Sequence, residues 1–260
     1  MESDTEISKE GRYIYCIIRH SGAMEFNSVG VGTRGDRVYT INYKDICAVV
    51  SNSPVIQYEA RRVNMVAHQV VLEEVMKQFT ILPVRFSTIS ESNDESKILK
   101  LLEKDYVKFS DLLERMDGKK ELGLKAIAIE EPIFKYILDK YDDIRMLKEK
   151  LSKLSPDKAH YKLMEIGEMV ESALRKENLL FHDIILNSLS PLAEEVKIND
   201  KYGERMIINA AFLIKNENES EFDKSINDLD SKYGNLLSFK YVGTLPPYNF
   251  VNLVINTKDI

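Results

Sequence analysis

The sequence predicts an α+β fold in two domains. The first is a small N-terminal α+β sheet domain, 1–120; the second, 121–260, is a ferredoxin-like α+β domain with an inserted helical hairpin. Three observations carry this. A chain of 260 residues is long for one hydrophobic core. Period-two apolar runs and helical apolar stripes follow one another in both halves. Once the hairpin is counted as one crossover, the second half reads β-α-β-β-α-β.

Along the first half, Tyr13-Ile-Tyr-Cys-Ile-Ile18 is rich in β-branched and aromatic residues and reads as a buried strand. Arg37-Val-Tyr-Thr-Ile41 and Ile46-Cys-Ala-Val-Val50 are expected to pair antiparallel across the turn Asn42–Asp45, and Pro54 ends this sheet segment. From about Ala60 to Phe79 the spacing predicts a helix. Its stripe is Met65, His68, Leu72, Val75, Met76 and Phe79, widened by Val63, Val66 and Val70. The segment Thr80-Ile-Leu-Pro-Val-Arg-Phe-Ser-Thr-Ile-Ser90 is strand-like again. A second helix is expected from about Asp94 to Met116, with Ser92 and Glu95 spaced as a capping box and Gly118 as its stop.

The second half opens with a strand at Leu122–Ile129. A near-coiled-coil stripe follows at Ile137, Tyr141, Ile144, Leu147, Leu151 and Leu154. Ser155-Pro156-Asp157 stops and restarts the helix. The next stripe is Leu163, Ile166, Val170, Leu174, Phe181 and Ile184, and so short a link predicts an antiparallel hairpin. Then come a short strand near 195–198 and the run Met206–Ile214, apolar on both alternating faces and therefore central in a sheet. A helix through Phe222, Ile226, Leu229 and Tyr233 ends at Gly234, and Leu237, Phe239 and Tyr241 alternate as a half-buried strand.

Composition narrows the function classes. A net charge of −6 argues against an extended nucleic-acid surface, and Met206–Ile214 offers only Phe212 for base stacking. Cys16 and Cys47 lie in two strand-like runs that could be neighbours; two buried free thiols is the plainer reading, although one disulfide fits as well. No apolar run has transmembrane length and the N-terminus is acidic, so a cytoplasmic protein without membrane contact is expected.

Chemistry-bearing motifs are sparse. Gly30-Val-Gly-Thr-Arg-Gly35 has dinucleotide-loop spacing but leads into a strand rather than a helix, which argues for a turn. His20, His68, His160 and His182 show no zinc spacing. His68, on an apolar stripe, reads as a core-edge imidazole. Glu130-Glu131 and Glu194-Glu195 do not face each other across a cleft by adjacency alone. No catalytic residue, cofactor or metal is expected.

Two separated segments resemble the gas vesicle protein F/L family. The first is His68 with Val71-Leu72-Glu73, followed by Leu82, Pro83, Val84, Arg85, Phe86 and Thr88, with Ser87 where the family usually has Gly. The Asp117-Gly-Lys-Lys-Glu121 turn is similar as well. The second segment is Gly243, Pro246, Pro247, Tyr248 and Phe250, with Thr244 and Leu245 in place of Pro and Trp. The resemblance covers nearly the whole chain without separating the F and L branches. It implies a minor accessory protein of gas vesicles that binds the small, very apolar shell protein, with other gas vesicle accessory proteins as further partners, assists nucleation or assembly, and is no enzyme. Strand addition at a sheet edge and a helix laid in an apolar groove are the two available binding modes.

Arg85, Phe86, Tyr248 and Phe250 are the expected partner-binding residues. Strand alternation puts Arg85 at a sheet margin, where it either pairs with Glu73 or Glu74 or anchors a partner's carboxylate. Two other readings are carried forward. One is a ferredoxin-like regulatory protein that binds a small molecule; the other is an enzyme in which His68 and Arg85 converge on one cleft.

Overall fold

The structure is a computed structural model that describes residues 9–151 and 156–255, apart from the side chains of 156–159. The chain forms two compact units. One comprises the chain up to Lys120 together with the segment from Pro246 onward; the other is Glu121–Leu245. The segment from Pro246 thus groups with the first unit, and the second unit ends at Leu245.

The first unit holds a five-stranded sheet of order β2-β3-β4-β1-β5. Its strands are β1 (Glu10–Arg19), β2 (Glu25–Val29), β3 (Arg37–Tyr43), β4 (Ile46–Pro54) and β5 (Ile81–Pro83), paired antiparallel. Tyr13 to Ile18 are wholly buried, as a β-branched and aromatic run between two neighbours should be. Cys16 and Cys47 sit buried as free thiols on adjacent strands. β2, with only Phe26 buried and a register shift after it, was not legible as a strand.

Helix α1 (Arg62–Met76) packs Val71, Leu72 and Val75 onto Tyr13, Tyr15 and Cys16. The second helix expected over 94–116 is two, α2 (Glu95–Lys104) and α3 (Tyr106–Met116). Asp105 leaves the helical region (φ −104, ψ 16), ending α2 and starting α3 without a side-chain cap bond. The N-cap is Asp94, whose side chain accepts from the Ser96 amide, and not Ser92 of the expected capping box. Ser92 instead accepts from the Asp94 amide. Gly118, at φ 67, sits at the stop after α3.

The second unit has a four-stranded sheet, order β7-β8-β6-β9. The strands are β6 (Lys119–Ala128), β7 (Glu195–Ile198), β8 (Met206–Lys215) and β9 (Leu237–Leu245). Between β6 and β7 run α4 (Glu130–Lys140), α5 (Asp142–Leu151) and α6 (Pro156–Leu189); α7 (Glu219–Tyr233) joins β8 to β9. β8 is central and buried on both faces, and Phe212, the one aromatic it offered for base stacking, is inaccessible.

The stripe expected as one helix from Ile137 to Leu154 breaks at Tyr141, which is extended (φ −106, ψ 94); Leu154 and Ser155 lie outside the described residues. The break lets the Tyr141 hydroxyl donate to Glu177 of α6 at 2.8 Å. The same carboxylate accepts from Lys140 Nζ at 2.9 Å and Tyr136 Oη at 3.2 Å. Ile137, Ile144 and Ala173 form a small core beside this network. Leu163, expected in the α6 stripe, is exposed.

Candidate functional site

The residues that carry the sequence motifs meet in the first unit. β5 stops at Pro83, so the strand expected through Thr80–Ser90 is only three residues long, followed by one isolated bridge, Tyr13 with Ile89. Backbone bonds to β1 hold the rest: Val84 N donates to Tyr15 O at 2.9 Å and Ile14 N to Thr88 O at 2.9 Å. Between them the chain turns at Ser87, whose φ of 64 is a left-handed conformation strained for any residue but glycine. Ser87 Oγ accepts from the Tyr58 amide at 2.8 Å, a bond that glycine lacks.

Behind this turn His68 is buried, its imidazole ring 5.6 Å from Tyr15 and 5.7 Å from Phe86, centroid to centroid. Its hydrogen bonds assign a single direction. Ser87 N donates to Tyr13 Oη at 2.9 Å, leaving the Tyr13 hydroxyl proton for His68 Nδ1 at 3.0 Å. His68 Nε2–H then donates to Tyr248 Oη at 2.8 Å, and Tyr248 to Val84 O at 3.4 Å. Each donor has an acceptor only if the imidazole is neutral and protonated at Nε2. Burial agrees, pushing the His68 pKa down from 6.5 to about 4. Burial likewise raises the hydroxyl pKa values of Tyr13 and Tyr248.

Both ring nitrogens are thus engaged, and His68 reads as a structural joint. Arg85 does not converge with it. The Arg85 side chain is exposed, outside the short strand. Among the described residues Arg85 pairs neither with Glu73, which accepts from Gln69, nor with Glu74, which is engaged elsewhere. Phe86 is half-buried against Tyr13 and His68. Tyr248 is 40% exposed with its hydroxyl turned inward, whereas Phe250 is buried. Of the four expected partner-binding residues, only Arg85 and Tyr248 present much surface.

α1 presents an additional surface. Val63, Val66 and Val70, read from the sequence as widening the buried stripe, are 56%, 50% and 46% exposed. Steps of three and four residues put them on one helix face. The face that packs is His68, Val71, Leu72 and Val75. Met65, also expected inside, is exposed as well. The signal was present in the sequence: α1 is apolar around more of its circumference than one sheet can cover.

Glu74 of α1 closes the neighbouring sheet edge. Its carboxylate accepts from the Asn27 amide at 2.9 Å, the Ser28 amide at 2.8 Å and the Ser28 hydroxyl, where β2 loses register. Burial alone would raise its pKa; the bonds from Ser28 and Asn27 outweigh that and hold it below the usual carboxylate value. At the opposite edge β5 is short and ends at a proline, which has no amide to donate.

Gly30-Val-Gly-Thr-Arg-Gly35 is a loop leading into β3, with no helix following it. A Cβ on Gly32 would lie 2.5 Å from Tyr58 Oη and one on Gly30 would lie 2.6 Å from Ser51 Oγ, so close backbone approach accounts for both glycines.

Comparison with known proteins decides the family. Residues 11–252 match the model for the gas vesicle synthesis protein GvpL/GvpF family. The chain belongs to that family. It is 30% identical over 203 residues to gas vesicle protein F of Nostoc sp. strain PCC 7120, covering 76% of this chain and 80% of that one. To gas vesicle protein F1 of Halobacterium salinarum it is 28% identical over 254 residues, covering 96% and 97%. The crystal structure of GvpF from Anabaena sp. PCC7120 superposes with a TM-score of 0.78 at 27% identity, covering 95% of this chain and 100% of that one. Among the described residues, two antiparallel sheets and seven α-helices make a mixed α/β architecture similar to that of GvpF. Among the described residues no helix is long and apolar enough to cross a membrane.

Proposed function

We propose that this protein is a cytoplasmic accessory factor of gas vesicle assembly that holds the small apolar shell protein before it joins the wall, and so assists nucleation. The observation that carries the reading is the half-exposed Val63, Val66 and Val70 face of α1 in a chain of net charge −6. An apolar helix face can seat a second amphipathic helix, and the negative surface keeps the pair soluble. Of the two binding modes, the helix mode is favoured at the first unit, because Glu74 occupies the free amides of β2 and Pro83 shortens β5. In this reading Arg85 supplies a polar contact and the exposed ring edge of Tyr248 an apolar one, while Phe86 and Phe250 support them from inside.

A non-catalytic role is supported by His68, whose nitrogens both serve tyrosine hydroxyls. We read the two compact units as two domains, and the second as a ferredoxin-like variant. Its strand order puts the first and third of its four strands at the centre, and α4–α6 take the place of one crossover helix. The test is sedimentation of the shell protein with and without the purified chain. Shell protein kept in the supernatant in proportion to added chain is expected; unchanged pelleting would sink the reading.

A further inference from the structure

The second unit carries a charge arrangement that the fold does not require. Lys125 of β6 and Lys240 of β9 are direct cross-strand partners, and both are exposed. Their neighbours Leu124, Ala126, Phe239 and Tyr241 turn to the helix-covered core, so the two lysines share the opposite face. Like charges directly opposite on a sheet destabilise it. Among the described residues neither lysine has a carboxylate in ion-pair range; the nearest carboxylate along β6, Glu121, is buried.

Beside them β9 is an edge strand, with β6 as its one neighbour in the sheet. It is nine residues long, with Ser238, Lys240 and Val242 exposed on the lysine face. A strand edge of that length is a ready template for pairing. Among the described residues it shows no carboxylate plug like that of Glu74 on β2, and no early proline like the one that ends β5.

We propose that β9 accepts, as an added strand, an extended acidic segment of a partner protein. One of its carboxylates lies opposite Lys240 within reach of Lys125, and an apolar side chain covers Val242. The backbone edge supplies affinity and the lysine pair selects the sequence and fixes its register. A nucleic acid fits less well, because the aromatic residues of β9 face the core and the whole chain is negative. This site is independent of the valine face of α1.

The experiment is fluorescence anisotropy of a labelled synthetic peptide of alternating Glu and Val, titrated with the full chain. The comparison ligands are an alternating Lys and Val peptide and oligothymidine. Saturable binding of the acidic peptide is expected, weakened by about tenfold or more in a K125E/K240E double variant. That variant should bind the basic peptide instead. Absence of saturable acidic-peptide binding, equal binding by the double variant, or preference for oligothymidine would each overturn the proposal. Thermal unfolding of Lys240→Glu gives a second readout. A melting temperature equal to or above that of the wild type is expected, since the change relieves repulsion. A clear fall would mean that the lysine serves the fold, contrary to the proposal.

Discussion

Lowering the pH from 7 to 5 should weaken the first unit specifically through His68. In the folded chain its pKa is about 4, against 6.5 when solvated. As the pH falls below 6.5 the unfolded chain takes up a proton that the folded chain refuses, so stability declines. The stability is fully present above 6.5, is lost progressively towards 4, and changes no further below that. At about 1.4 kcal/mol per pKa unit, the loss at pH 5 is about 2 kcal/mol. Glu74 and Glu177 are held below the usual carboxylate value and lose their contributions in a lower window. The assay is urea unfolding by circular dichroism at pH 7, 6 and 5 for the wild type and His68→Gln, with an NMR titration of the His68 ring. The wild type should lose about 2 kcal/mol more than His68→Gln across that range. Equal slopes, or a ring that titrates near 6.5, would refute the buried neutral imidazole and the hydrogen-bond direction built on it.

Four further variants, at three residues, have expected outcomes. Ser87→Ala keeps the left-handed strain and leaves the Tyr58 amide unpaired, so it should cost about 1–2 kcal/mol in thermal unfolding. Ser87→Gly relieves the strain while losing the same bond and should fall within about 0.5 kcal/mol of wild type. Glu177→Leu strands Lys140 and two tyrosine hydroxyls; because Lys140 can turn to solvent, the cost should be about 3 kcal/mol, the lower end for a broken buried pair, in urea unfolding. Glu74→Ala frees two edge amides of β2 and should lower stability by about 1–2 kcal/mol while promoting self-association in analytical ultracentrifugation.

Much of the fold was legible where local pattern and burial agree. Tyr13–Ile18, Met206–Ile214 and the Phe222, Ile226, Leu229 helix all sit as their periodicity requires. Three kinds of feature were not. Breaks at Asp105 and Tyr141 carry no proline or glycine; the one at Tyr141 answers to a tertiary partner, Glu177, and the one at Asp105 has no side-chain cap bond to mark it. The strand reading of Thr80–Ser90 failed after Pro83, where the chain leaves the ladder to turn at Ser87; a serine in a left-handed turn is invisible to propensity, although the resemblance, which puts glycine there, was a hint. Side-chain direction on α1 was misjudged because valine counts as core in any apolar tally.

At the candidate site, the sequence marked His68, Phe86 and Tyr248 as residues of two distant motifs. Their meeting through Tyr13 and Val84 depends on the last segment grouping with the first unit, which no local signal announces. Of the two readings of Arg85, pairing with Glu73 or Glu74 does not occur among the described residues: Glu73 accepts from Gln69, and Glu74 is committed to β2, a strand the pattern had not shown.

The most direct measurement is co-expression with the shell protein followed by affinity capture, comparing the wild type with Val63→Ser/Val66→Ser/Val70→Ser. The three valines are largely outside the core, so the variant should unfold within a few degrees of the wild type. Retention of soluble shell protein by the wild type and its loss in the folded variant is the predicted result. No retention by the wild type, or equal retention by both, would contradict α1 as the surface that receives the shell protein.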